Sequence, residues 1–247
     1  MKVELIEYTG NGRSSRAAAE LLVFTKSTRL DMSPSLIHDI SSWSDDRLWE
    51  ELEYMSNTIP SSWEFVDYVF LISKCTRAFT HQLVRNRHGS YAQQTMRILD
   101  VEGFSYEIGP TIESDENRLD EYCNSMEIVD RMYSKLIKDG AAIEDARGIL
   151  PTNIHTNIVC KFNLRTISEM VAKRSSPRVQ GEYRNFIRDV ANLILEVHPW
   201  AKFFLRDRKS DAARKLDEFI SEAFDGVEFI DGDDEIKMIK LVDILRG

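Results

Sequence analysis

The chain has 247 residues, 43% of them hydrophobic and 30% charged, with a formal net charge of −9. That length sustains one sizeable core, and the acidic balance argues against general binding to nucleic-acid polymers or anionic membranes. Cys75, Cys123 and Cys160 are odd in number without CxxC spacing, and no run nears the ~18 apolar residues of a membrane span, so reduced cysteines, no metal site and a soluble cytoplasmic protein are expected.

Met1 to Tyr8 alternates like a strand, Gly10 to Gly12 reads as a turn, and a helix is expected from Ser14 to Lys26. Ser44, Asp45 and Asp46 supply N-cap chemistry for a helix from Arg47 to Ser56, with Leu48, Leu52 and Met55 on one face. Pro60 closes it. Glu64 to Ser73 is rich in β-branched and aromatic residues and reads as a strand. From Thr76 a helix should carry Arg77, His81 and Arg85 at four-residue intervals and end at Gly89. Further helices are expected at Asn117 to Lys138, Glu144 to Gly148, Ile167 to Lys173 and Val179 to Val197, with a strand at Thr156 to Leu164. The tail after Phe224 is acidic; its Asp-Gly-Asp-Asp-Glu run lacks the spaced ligands of an EF-hand loop and reads as solvated.

Arg77, Arg85, Arg87 and Arg97 crowd into one short segment of an acidic protein. Guanidinium groups give planar, bidentate donors that suit phosphate oxygens. Gln82, Gln93, Gln94, Ser90 and Thr95 add neutral donors and acceptors of the kind that read a pyrimidine edge and a sugar hydroxyl. Together these residues describe a nucleotide site; the competing reading is that the arginines pair with surface carboxylates.

The stretch from Thr80 to Arg97, with Arg85-Asn86-Arg87 and then Thr95 and Arg97, resembles the signature of the flavin-dependent thymidylate synthases, Arg-His-Arg, seven residues, then Ser. A second stretch resembles the same family in order and spacing: Ala146-Arg147 before Leu150-Pro151, Asn163 and Arg165, then Arg174, Gln180 and Glu182. A third, Ile59 to Phe65, keeps Ser61 and Glu64 where the family has His-x-Ser-x-x-Glu-His. Ile59, Phe65 and Asn86 stand where the family has histidine, and Glu169 where it often has Asn.

The resemblance implies an α+β fold, a mixed or antiparallel sheet with long helices, assembled as a homotetramer with active sites shared between subunits. It covers residues 1–204 as one domain, with 205–247 as a C-terminal extension. It implies that Gln82, Arg85, Gln93, Gln94, Thr95, Met96, Arg97, Arg147 and Arg174 hold the substrate, deoxyuridine monophosphate (dUMP). It implies equally that Ser61, Glu64, Arg85, Asn86, Arg87, Gln93, Asn163, Arg165 and Glu169 hold FAD. Arg174 is the expected catalytic residue. The implied reaction is reductive methylation of dUMP at C5 to dTMP, with methylenetetrahydrofolate as one-carbon donor and NADPH as reductant; no Gly-x-Gly-x-x-Gly fingerprint occurs. Two rival readings are a related enzyme of the same fold that attaches hydroxymethyl, and a nucleotide-binding paralogue without catalysis.

Overall fold

The computed structural model describes residues 1–206 except 29, 59, 99–100 and 175–180; the side chain of Arg174 is also outside the described residues. Of two units, Met1–Leu205 and Arg206–Gly247, the second lies outside them beyond Arg206, and with it the acidic tail. Four strands form one sheet: β1 (Lys2–Tyr8), β2 (Asp67–Thr76), β3 (Ser90–Gln93) and β4 (His155–Asn163). Their order is β1-β2-β4-β3, with every neighbouring pair antiparallel. Nine α-helices accompany them among the described residues: α1 (Arg16–Lys26), α2 (Pro34–Ser41), α3 (Asp45–Thr58), α4 (Arg77–Leu83), α5 (Pro110–Glu113), α6 (Glu116–Lys138), α7 (Ile143–Ala146), α8 (Leu164–Arg174) and α9 (Gly181–Val197). The α+β expectation holds, with the sheet antiparallel.

Alternation decides which side of the sheet is covered. Tyr68, Phe70 and Ile72 of β2 and Ile158, Cys160 and Phe162 of β4 are buried, while Asn157 and Lys161 between them are exposed. This period-two pattern is that of an antiparallel sheet with one face on the core. Ala18, Ala19, Leu22 and Val23 of α1, Leu48, Leu52 and Met55 of α3, and Tyr183, Phe186, Ile187, Val190 and Ile194 of α9 complete that core. Each fully buried large apolar side chain stabilises by roughly 1.5–3 kcal/mol, so these helical faces fix the sheet's covered side.

Several boundaries differ from the sequence expectation, two of them for reasons the structure shows. Strand β2 starts at Asp67, because Pro60–Phe65 winds into a 3-10 turn that buries Trp63 against Phe204, ring centroids 4.9 Å apart. Helix α4 stops at Leu83 rather than running to Gly89. There the Asn86 side-chain amide donates to the Leu83 carbonyl at 2.8 Å, and the Tyr91 hydroxyl donates to the same carbonyl at 3.0 Å. Side-chain donors have replaced the next helical turn. Strand β3 lies where the sequence reads as loop, and α2 and α5 are likewise absent from that reading.

Gly89 is held by space. A Cβ there would sit 2.4 Å from Phe162 Cε1 and 2.6 Å from the Tyr91 hydroxyl oxygen. The turn carrying Arg85, Asn86 and Arg87 can therefore press against β4 only with glycine at this point.

Candidate functional site

The first half of the site is built on α4. Thr76 caps this helix, its hydroxyl accepting from Phe79 N–H at 3.0 Å. Arg77 and His81, one turn apart on α4, then face a cavity of about 280 Å3 also lined by Met96, Glu144, Arg147, Gly148 and the 150–152 segment. Arg77 Nη2 donates to the Gln94 carbonyl at 3.1 Å, tying α4 to the loop after β3. Its buried Nε–H has no hydrogen-bond partner among the described residues. Burial, and next the nearby Arg147, lower the Arg77 pKa from its ordinary value. Such crowding of cations calls for an anion.

Arg97 reaches the same place from the loop. Its Nε donates to Glu144 Oε2 at 3.1 Å, and Arg147 Nε donates to the Glu144 carbonyl at 3.2 Å. The loop itself is pinned at its start. Gln94 N–H bonds the Asn157 carbonyl at 2.9 Å, Asn157 Nδ2 donates to Gln94 Oε1 at 3.0 Å, and Arg97 N–H bonds the Thr95 hydroxyl at 3.0 Å. Asn157 Oδ1 meanwhile accepts from the backbone of Lys74, which holds φ at 53° in the bulge of β2. Arg97 and Arg147 thus meet at Glu144, one at its carboxylate and one at its backbone carbonyl, beside the cavity that Arg77 also lines.

The second half lies at the other end of β4. Asn163 Oδ1 accepts from Thr166 N–H at 2.9 Å, capping α8 and leaving its amide NH2 for another partner. Successive turns of α8 then set Arg165, Glu169 and Lys173 on one face: Arg165 Nε is 3.4 Å from Glu169 Oε1, and Lys173 Nζ is 3.3 Å from Glu169 Oε2. Glu64, on the turn that also bears exposed Ser61, approaches from the side, its Oε1 2.7 Å from Arg165 Nη1. The exposed Arg85 and Arg87 belong to this end too, since Ser90 pairs with Lys161 and Asp67 with Asn163.

The fold places these residues in two separate clusters. Arg97, Arg147 and Met96 come together; Glu64, Arg165 and Glu169 come together with Asn163 beside them. From Asn157 to Asn163 the strand advances roughly 20 Å at about 3.3 Å per residue. Arg174 ends α8, its side chain outside the described residues. Gln82 is half-exposed on α4. Gln93 turns toward α4, donating from Nε2 to the Thr80 hydroxyl at 3.1 Å. Asn86 turns inward as well, donating to the Tyr183 hydroxyl at 2.8 Å.

His81 and Glu144 receive no ligand role from the sequence, and Arg77 enters it only as one of the clustered arginines, although the four-residue interval from Arg77 to His81 already put both on one helix face. Both strand cysteines are poor nucleophiles. Burial pushes the Cys160 thiol up to about 12, with Cys75 adding to it, and pushes Cys75 up to about 12, with Glu182 adding to it. At neutral pH neither presents a thiolate.

Comparison with known proteins gives the family. The model of the thymidylate synthase complementing protein family matches residues 4–200. The flavin-dependent thymidylate synthase of Clostridium tetani is 31% identical over 216 residues, covering 81% of this chain and 84% of that protein. Its namesake from Geobacter sulfurreducens is 28% identical over 202 residues with the same two coverages, and that from Pyrococcus horikoshii 38% over 138 residues, 54% of this chain and 55% of that one. The matched span holds both arginine clusters and the strand between them, and the chain belongs to the thymidylate synthase complementing protein family.

Proposed function

We propose that this chain is an FAD-dependent thymidylate synthase that methylates dUMP at C5. The observation that carries the reading is the cavity lined by Arg77 and Arg147 together with Glu144, whose carboxylate Arg97 bonds at its edge, a surplus of positive charge suited to a nucleotide phosphate. Gln82, Gln93, Gln94 and Thr95, on the same helix and loop, would wrap the nucleoside. The suppressed thiols support a route in which C5 is activated without cysteine addition at C6.

At the far end, Arg165, Lys173, Arg85 and Arg87 and the free amide of Asn163 form a donor set that fits the phosphates of FAD, provided Glu64 and Glu169 yield Arg165. Ser61 and Asn86 border the same end. When bound there, FAD reduced by NADPH would supply the hydride that completes a methyl group delivered from methylenetetrahydrofolate. The chain's own work is binding, orientation and charge. Arg174 is the catalytic residue of this reading by the family resemblance alone: its cation would stabilise negative charge on the uracil as N3 loses its proton, and that would raise electron density at C5. Because one chain holds the two clusters about 20 Å apart along β4, a complete site requires ends from different subunits of a homotetramer, working in the cytoplasm.

Purified protein tests this directly. A flavin absorption spectrum together with tritium release from C5-labelled dUMP, dependent on methylenetetrahydrofolate and NADPH, is the expected result. A colourless protein that takes up no added FAD and releases no tritium overturns it. The product's mass distinguishes a methyl from a hydroxymethyl group.

A further inference from the structure

Glu182, on the first turn of α9, accepts two hydrogen bonds from one residue of a distant segment. Thr76 N–H reaches Oε1 at 2.9 Å, and the Thr76 hydroxyl reaches Oε2 at 2.6 Å, across 106 positions of sequence. The second is a short, charge-assisted bond. A threonine hydroxyl has one proton and two lone pairs. By taking the proton, Glu182 leaves the lone pairs to Phe79 N–H, which is the cap of α4. The carboxylate therefore sets the direction of the cap from outside the helix.

The next residue is Arg77. Its backbone N–H bonds the Ile154 carbonyl at 3.2 Å, that of Ala78 bonds Thr152 at 2.8 Å, and its guanidinium bonds Gln94. The start of α4 is thus held from the 152–154 segment on one side and from Glu182 on the other. Glu182 also follows Arg174 by eight residues in the chain. We propose that Glu182 is a positioning residue for the nucleotide site, clamping the start of α4, and so Arg77, to the start of α9. The proposal rests on reading the arginine cavity as the dUMP site.

The test is Glu182→Gln, which keeps the side chain's size. The amide oxygen can still accept from Thr76 N–H, but the NH2 can only donate, so the Thr76 hydroxyl loses its acceptor and the new NH2 competes with Phe79 N–H for the hydroxyl oxygen. The dissociation constant for dUMP, measured by calorimetry, should rise about tenfold for loss of roughly one charge-assisted bond, while FAD affinity stays as in the wild type. In a Thr76→Val background the same substitution should add little. Unchanged dUMP affinity, equal losses for dUMP and FAD, or effects that multiply in the double variant overturn the proposal. Should Glu182→Gln not fold, Thr76→Ser and Thr76→Val decide: serine keeps the hydroxyl and should bind dUMP like the wild type, valine should bind about tenfold more weakly, and equal binding by the two overturns it. Wild-type protein that binds no dUMP instead sinks the reading of the cavity, a distinguishable result.

Discussion

Arg97 and Arg147 meet at one residue, the first bonding the Glu144 carboxylate at 3.1 Å and the second its backbone carbonyl at 3.2 Å. Glu144 thus holds the place of an anion between two cations. The Arg97–Glu144 pair is mostly solvent-exposed, with 70% and 52% of the two side chains accessible. Exposed pairs contribute about 0–1 kcal/mol, so Glu144→Gln should leave the thermal midpoint almost unchanged. It should tighten dUMP binding several-fold by freeing Arg97, as read by calorimetric titration. Weaker binding in this variant would mean that Glu144 contacts the ligand itself.

At the opposite end Arg165 is engaged by Glu64 and Glu169. Glu169→Gln removes one competing charge and should raise FAD affinity about fivefold, a few tenths of a kcal/mol to about 1 kcal/mol in the range of exposed pairs. Quenching of flavin fluorescence on titration measures it. Unaltered affinity would separate Arg165 from the flavin phosphates.

His198 is fully buried, stacked on Trp200 at 4.9 Å, with Nδ1 2.9 Å from the Tyr68 hydroxyl and Nε2 without a partner among the described residues. Burial lowers its pKa to about 4, below the ~6.5 expected when unfolded. The fold therefore favours the neutral ring, and its contribution is whole above about pH 6.5. Between there and pH 4 the unfolded chain binds the extra proton, so stability falls as pH falls, by something on the order of 2 kcal/mol. Thermal midpoints from pH 7.5 to 4.5 should show this slope, and His198→Gln should flatten it. An identical slope in both proteins would assign the effect to other groups.

Gly89→Ala should be destabilising by about 1–3 kcal/mol, because the added carbon meets the Phe162 ring, buried in the core, and a Tyr91 hydroxyl bonded to the Leu83 and Asn86 carbonyls. Denaturant midpoints give the figure. Wild-type stability would show that the turn of Arg85 to Arg87 moves off β4 freely.

Much of the fold was legible because its elements are locally self-consistent. Strand β4 alternates buried and exposed residues, and α3 begins at Asp45 with Arg47 N–H bonded to the Ser44 hydroxyl, as the cap chemistry implied. Strand β3 was hidden because its four residues, Ser-Tyr-Ala-Gln, carry weak strand propensity and are extended by pairing with β4. The early end of α4 was hidden for a related reason, since Tyr91 and Asn86 must fold back before the Leu83 carbonyl has its partners. Within the site, residue types revealed the charge but not the distances. Arg97 and Arg147, fifty positions apart in the chain, share Glu144, whereas Arg87 and Arg97 belong to opposite ends of a strand pair.

That separation bears on how such a chain can change over generations. Asn86, Phe65 and Glu169, three of the replacements relative to the family pattern, all belong to the Asn163 end of β4, while Arg97 and Arg147 at the Asn157 end keep their places. A rigid strand lets one end be rewritten without disturbing the other. Side chains at one end of β4 can thus be exchanged without moving those at the other, and the strand's length sets the spacing between the two groups.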